Sequence, residues 1–125
     1  MIDLDHFKQI NDSKGHTAGD QVLKTIGMVI ESQLRDQQRG GRWGGDEFLV
    51  ILPQVNESLA QQVAARLHTK IQLADGPAIS IGVATRRPGE DIHRVVHRAD
   101  KALYQAKNEG RNQVRSAPQD TPVRE

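Results

Sequence analysis

The stretch that most limits what this chain can become is Arg42-Trp43-Gly44-Gly45-Asp46-Glu47-Phe48-Leu49-Val50-Ile51-Leu52. An uninterrupted apolar run, Phe48 to Leu52, follows two glycines and two carboxylates, and Pro53 ends it. A run this short, rich in branched side chains and bounded by turn residues, predicts a buried strand. Gly44-Gly45 predicts a tight turn whose backbone can come close to a ligand. Asp46 and Glu47 sit at the rim of that turn. Adjacent carboxylates repel unless a cation or a proton offsets their charge. The stretch therefore reads either as a polar hairpin tip or as a turn that meets a metal-bound phosphate.

At 125 residues the chain is long enough for one domain and short for two. A formal net charge of +1 argues against a DNA or RNA partner and against an anionic membrane surface. The absence of cysteine excludes disulfides, thiolate zinc sites and cysteine nucleophiles. No apolar span approaches membrane length, and Met1-Ile2-Asp3-Leu4-Asp5 is too acidic to open a signal peptide. A cytoplasmic setting fits, with membrane anchoring of a longer parent protein left open.

Met1 to Asp5 alternates apolar and acidic residues, as the end of a strand does with its carboxylates on one side. A short helical turn is expected around Phe7 to Asn11, broken at Lys14-Gly15-His16. Thr17 is expected to cap a long helix, with Asp20 completing a variant capping box. Val22, Leu23, Ile26, Val29, Ile30 and Leu34 give that helix its apolar stripe. The polar, glycine-bearing segment from Arg35 to Gly41 predicts a weak strand into the turn. Asn56 is expected to open a helix with Leu59, Val63, Leu67 and Ile71 on its buried face, and Asp75-Gly76-Pro77 forms a turn. Ala78 to Ala84 alternates like a half-buried strand. A helix from about Asp91 is expected to bury Ile92, Val95, Val96, Ala99, Ala102, Leu103 and Ala106, with Gly110 stopping it. A brief strand near Gln113 to Arg115 closes the sheet, and residues 116–125 read as a disordered tail. The fold class is α/β (α+β), with helices layered on one sheet and one domain over residues 1–115.

Asp3-x-Asp5 at a strand end and Asp46-Glu47 after a turn are two acidic points that one sheet can bring together. Hard cations such as Mg²⁺ want a few carboxylate oxygens plus substrate phosphates, and paired ions can drive phosphoryl transfer. The alternative is two pairs of solvated loop acids. Competing motifs fail on particular residues. Phe7 and Lys8 stand where a calcium hand loop needs an oxygen ligand and a glycine. Asp46 stands where a P-loop needs its lysine, and His93-x-x-x-His97 lacks the glutamate of the zinc protease motif. Lys107 and Arg111 bracket a helix end, either complementing its dipole or clamping triphosphate oxygens. Asp20 is either a capping residue or an acceptor for the paired N–H groups of guanine.

Gly44-Gly45-Asp46-Glu47-Phe48 is letter for letter the signature of the GGDEF-domain diguanylate cyclases, and the resemblance extends well beyond it. Met1 to Asp12 and Gly15 to Asp20 resemble the family's first metal-and-guanine block. Ile79 to Ala84 resembles its later core strand, and Ala99 to Asn112 its closing helix. The similarity covers residues 1 to about 115. It implies an enzyme that condenses two GTP into cyclic di-GMP with release of pyrophosphate. The implied fold is palm-like, a mostly antiparallel central sheet flanked by helices. Asp3 and Asp46 would bind Mg²⁺, or Mn²⁺ in its place, helped by the Leu4 carbonyl with Glu47 alongside. Asn11 and Asp20 would read guanine with His16 nearby. Phe7 and Lys8 would lie against the phosphates beside Gly44 and Gly45, Lys8 offsetting transition-state charge. Lys107 and Arg111 would hold the terminal phosphates. Each domain would present one GTP, so catalysis would need a facing homodimer.

Three departures from the family pattern carry their own expectations. The family opens with a further helix and a longer first strand, so the chain is expected to be a fragment of a longer protein that carries a sensory or regulatory region. The family's product-inhibition site, Arg-x-x-Asp, reads Arg35-Asp36-Gln37-Gln38 here, so feedback binding at Arg35 is expected to be weak or absent. Gly40 replaces an apolar strand residue and is expected to loosen the approach to the turn. The rival readings are a catalytically silent GTP-binding or protein-interaction module and an inactive fragment.

Overall fold

A computed structural model describes residues 1–118. In chain order its elements are β1 (Ile2–Leu4), α1 (Phe7–Lys14), α2 (His16–Gln33), β2 (Arg39–Gly44), β3 (Glu47–Ile51), α3 (Glu57–Leu73), β4 (Ile79–Val83), α4 (Ile92–Asn108) and β5 (Val114–Ser116). One sheet has the order β2-β3-β1-β4-β5. All neighbours are antiparallel except β4 and β5, which run parallel. The palm-like, mostly antiparallel sheet implied by the resemblance is what the chain forms.

Side-chain alternation on β1 divides the core. Ile2 and Leu4 face α2 and α3, packing with Leu23, Ile26, Ile30, Val63, Leu67 and Ile71. Met1 faces the other way, against Ala99 and Leu103 of α4. Asp3 and Asp5 share that second face. α3 and α4 start where short polar side chains take up free backbone N–H groups. Asn56 Oδ1 accepts from the Leu59 N–H at 2.8 Å, and Asp91 Oδ1 from the His93 N–H at 2.7 Å. At the other end of α4, Gly110 (φ 116°) lets the Arg111 N–H return to the Ala106 carbonyl at 2.9 Å, a Schellman closure.

Several expectations are corrected. α1 runs on to Lys14, and α2 begins at His16 with Gly15 as its cap residue and no side-chain cap. Thr17 and Asp20 therefore form no capping box, because Gly15 alone separates the two helices. Within β3 only Phe48 is buried, and Ile51 is 45% exposed. The cause is the length of β1, which pairs with β3 only at Glu47 and Phe48. Leu59 and Ile92 are exposed, and α3 instead buries Ala60 and Ala64. Ile79, Ser80, Ile81 and Gly82 are buried without alternation, since helices cover both faces of β4. Gly40 does not loosen its strand. A Cβ there would lie 3.0 Å from Ile30 and 3.1 Å from Leu34, so its bareness lets α2 close on β2. β5 extends to Ser116, and the buried Ala117 donates its N–H to the Val83 carbonyl at 2.7 Å. Those two residues continue the structure rather than opening a tail, and the tail assignment for 119–125 lies outside the described residues. Among the described residues no helix is long and apolar enough to cross a membrane.

Candidate active site

Asp3 lies in the middle strand of the sheet, directly opposite Glu47 on β3 and Ser80 on β4. The Leu4 N–H donates to the Asp46 carbonyl at 3.2 Å, which ties the β2–β3 turn to β1. Arg42 braces the same turn, with Nε and Nη2 both donating to the Gly45 carbonyl at 2.9 and 2.6 Å. A bulge between Arg42 and Gly44 marks the approach, a common device for re-aiming a strand end beside a functional site. Neither Gly44 nor Gly45 has a positive φ. A Cβ on Gly45 would meet nothing within 4 Å, and one on Gly44 only Glu47 Oε1 at 3.8 Å. The turn itself does not require glycine. What glycine supplies is uncovered backbone next to the two acids.

The Asp3 side chain is buried, so the reading of solvated loop acids fails for it and for Asp5, which are 5% and 4% exposed. Asp3 Oδ2 forms an ion pair with Lys107 Nζ, while Oδ1 is buried with no hydrogen-bond partner. Burial raises its pKa from 3.8 to about 6, and the neighbouring Asp46 carboxylate pushes it the same way against the pull of Lys107. A buried carboxylate oxygen with nothing to accept, next to a second carboxylate, suits a hard cation. Among the described residues no three His, Cys, Asp or Glu side chains converge to hold a metal by themselves. Magnesium characteristically binds one or two carboxylates and completes its shell with phosphate oxygens and water, so the donor set fits that ion.

The remaining candidates fall into groups. Phe7 and Asn11 are partly buried on α1, packed against buried Gly19 of α2. A Cβ on Gly19 would overlap Asn11 Oδ1 and lie 3.2 Å from Phe7 Cζ. Gly19 therefore fixes where Asn11 sits, a role that helical periodicity could not reveal. Lys8, His16 and Asp20 are exposed on the α1–α2 elbow, and no hydrogen bond or ion pair among the described residues joins them to the acidic turn. Lys107 is brought to Asp3, but Arg111 is brought to Asp5, with Nε 3.9 Å from Oδ1. Arg35 is exposed in the α2–β2 loop, where its N–H donates to Gln38 Oε1 at 2.8 Å. Gln38 thus closes a local turn at the position of the family's carboxylate. In the sequence, Asp5 reads only as half of the Asp3-x-Asp5 acidic point, with no role of its own. The available signal was its spacing, two positions after Asp3 and so on the same sheet face.

A largely antiparallel five-stranded sheet, with carboxylates meeting where the central strand faces a glycine turn, defines a palm-like nucleotidyl cyclase domain. The model of the family described as diguanylate cyclase, GGDEF domain, matches residues 1–113, and the chain belongs to that family. Diguanylate cyclase A of Treponema denticola is 40% identical over 131 residues, which span 98% of this chain and 35% of that protein. Diguanylate cyclase DgcM of Escherichia coli is 40% identical over 122 residues, spanning 94% of this chain and 30% of that one. The chain thus spans about a third of the length of these relatives. The crystal structure of the GGDEF domain of DgcB from Caulobacter crescentus, in complex with c-di-GMP, superposes with a TM-score of 0.86 at 35% identity. That match covers 93% of this chain and 74% of that one. Diguanylate cyclase SiaD from Pseudomonas aeruginosa, in complex with its activator SiaC, gives 0.85 at 40% identity over 93% of this chain and 48% of that one.

Proposed function

We propose that this chain is the catalytic domain of a diguanylate cyclase that joins two GTP molecules into cyclic di-GMP with release of pyrophosphate. The observation that carries the reading is Asp3: a buried carboxylate with one unpartnered oxygen, at the centre of the sheet, against the Asp46-Glu47 turn. Asp3 and Asp46 would hold Mg²⁺, with the Leu4 carbonyl and Glu47 completing the protein side. The ion, when bound, supplies positive charge to the phosphates and to the attacking hydroxyl. The chain's own residues do the rest. Asn11, placed by Gly19, and Asp20, with two acceptor oxygens, match the hydrogen-bonding edge of guanine, and His16 lies nearby. Gly44 and Gly45 leave backbone open beside the acids, where Phe7 and Lys8 would flank the phosphates. Lys107 and Arg111 would hold the terminal phosphates.

One site presents one GTP, so two domains face each other in a homodimer. The 3′-oxygen of each GTP then bonds to the α-phosphorus of the other, and the bond from that phosphorus to pyrophosphate breaks. A region outside this segment would set dimerisation, and the proposed setting is cytoplasmic. Purified chain should be incubated with GTP and Mg²⁺, with and without an appended dimerising coiled coil. Cyclic di-GMP formed by the forced dimer and lost in Asp46→Ala supports the proposal. GTP binding without turnover in the forced dimer would replace it with a silent binding module.

A further inference from the structure

Asp5 shares a sheet face with Asp3, yet its oxygens turn away from the acidic site. Its Oδ1 accepts from Ser80 Oγ at 2.7 Å and its Oδ2 from the backbone N–H of Asn112 at 2.9 Å. Arg111 Nε stands 3.9 Å from Oδ1. The carboxylate is 4% exposed, and desolvating an ionised group is costly unless its partners require it. The segment it grips is sterically costly too. Arg111 (φ 62°) and Asn112 (φ 50°) are consecutive non-glycine residues in the left-handed region, which persists only where surrounding contacts over-determine it. Those contacts come from two sides. Asp5, just past the end of β1, accepts the Asn112 N–H, while Asn112 Oδ1 is met from α3 by His68 Nε2 at 2.9 Å and Gln72 Nε2 at 3.3 Å. The left-handed pair directly follows the Schellman closure of α4, so it sets the direction in which Arg111 leaves the helix.

We infer that Asp5 is a positioning residue: with Asn112 and His68 it latches the α4–β5 turn so that Arg111 faces the phosphate end of the site. The inference rests on the cyclase reading for the identity of the ligand, and on the hydrogen bonds above for the latch. The two alternate acids at the end of β1 then have different tasks. Asp3 would hold the cation, and Asp5 holds the loop that would grip the phosphates.

The test measures binding of GTP and of GMP, each with Mg²⁺, to the 125-residue chain and to Asp5→Ala, Asp5→Asn and Arg111→Ala. Asp5→Ala is expected to weaken GTP about tenfold, the size of one lost charge-assisted contact, and to leave GMP unchanged. Asp5→Asn keeps one acceptor oxygen and should recover most of the loss. Combining Asp5→Ala with Arg111→Ala should add nothing to Arg111→Ala alone. Equal weakening of GTP and GMP, or additive losses, would overturn the inference, because a general structural defect affects both ligands. Amide hydrogen exchange without ligand provides a second arm. The Asn112 amide should exchange at least about tenfold faster in Asp5→Ala, with β3 amides unchanged. Unchanged exchange at Asn112 would remove the latch. A wild-type chain that bound no GTP would sink the cyclase reading, and the exchange result would still decide the role of Asp5.

Discussion

Lys107, in the last turn of α4, forms an ion pair with Asp3 in the central strand, joining the closing helix of the fold to its first strand. The pair does not neutralise the site. Asp3 is still driven towards its protonated form by burial and by Asp46, and this sets how stability depends on pH.

Asp3 has a folded-state pKa of about 6 against an ordinary 3.8. Between these values the folded protein binds more protons than the unfolded chain, so stability is highest below about pH 4 for this group and falls as pH rises through 6. Asp3→Asn removes that loss. At pH 7.5 without divalent cations it should raise stability by about 1–2 kcal/mol, after allowing for the lost contact with Lys107. The gain should vanish at pH 4 in denaturant melts. Mg²⁺ or Mn²⁺ should raise the melting temperature of the wild type and not of the variant.

Glu90 behaves in the opposite sense. Arg98 donates to both of its carboxylate oxygens, at 2.6 and 2.7 Å, and the Arg87 N–H adds a third bond at 2.9 Å. These contacts hold its pKa down to about 2 from 4.5. The stabilisation is fully present above about pH 4.5 and is lost as pH falls through 2. Glu90→Gln should cost about 2 kcal/mol at pH 7, because it leaves the Arg98 charge without its partner. The cost should shrink steadily as melts are repeated from pH 4 down to pH 2.

Gly82 tolerates no side chain. A Cβ there would run into the Ala99 carbonyl and the Leu103 N, both backbone atoms of α4 that cannot rotate away. Gly82→Val should destabilise the domain by about 3 kcal/mol or more, measured by urea unfolding. Gly41→Ala on β2, where a Cβ meets nothing within 4 Å, provides the control and should be near neutral.

Gly19→Ala is a subtler case, since the clash falls on the Asn11 side chain rather than on backbone. Asn11 should rotate aside with a small loss of stability. GTP affinity should fall about tenfold, with the loss following guanine recognition. Binding of ATP relative to GTP is the measurement, and an unchanged ratio would separate Asn11 from base recognition.

Arg35→Ala should leave the affinity for cyclic di-GMP unchanged, because the Gln38 side chain closes a local turn and presents no carboxylate. Tight binding that disappears with Arg35 would contradict this. Titration calorimetry with the purified chain decides it.

The residues legible in the sequence were those whose role is local or is carried by a motif. Asn56 and Asp91 cap the helices they open, and the acids Asp3 and Asp46 come together as two acidic points on one sheet. The errors arose where distant parts of the chain meet. Ser80 lies in a segment whose alternation resembles a half-solvated strand, but α4 covers it and Asp5 satisfies its hydroxyl. Gly19 and Gly82 look like weak points in a helix and a strand, and only the approach of Asn11 and of α4 explains them. Asp20 fits a capping template, but the helix already begins at His16, one residue before Thr17, with Gly15 as its cap. Asp5 belongs to no separate motif. Its value depends on a turn more than a hundred residues further along the chain.

The ion pair between Asp3 and Lys107 has a consequence for how the domain comes into being. Contacts that close such long chain segments are slow to form, because loop-closure entropy is lost before they contribute. β1 precedes β3, β4 and α4 in the chain, so Asp3 and the following Asp5 do not have all their partners until α4 and the turn after it have been made. A nascent chain lacking α4 therefore holds Asp3 without Lys107 and Asp5 without the Asn112 turn. Within this domain the acidic site is completed only when α4 has been made, although Asp3 lies on the strand that precedes every other element described.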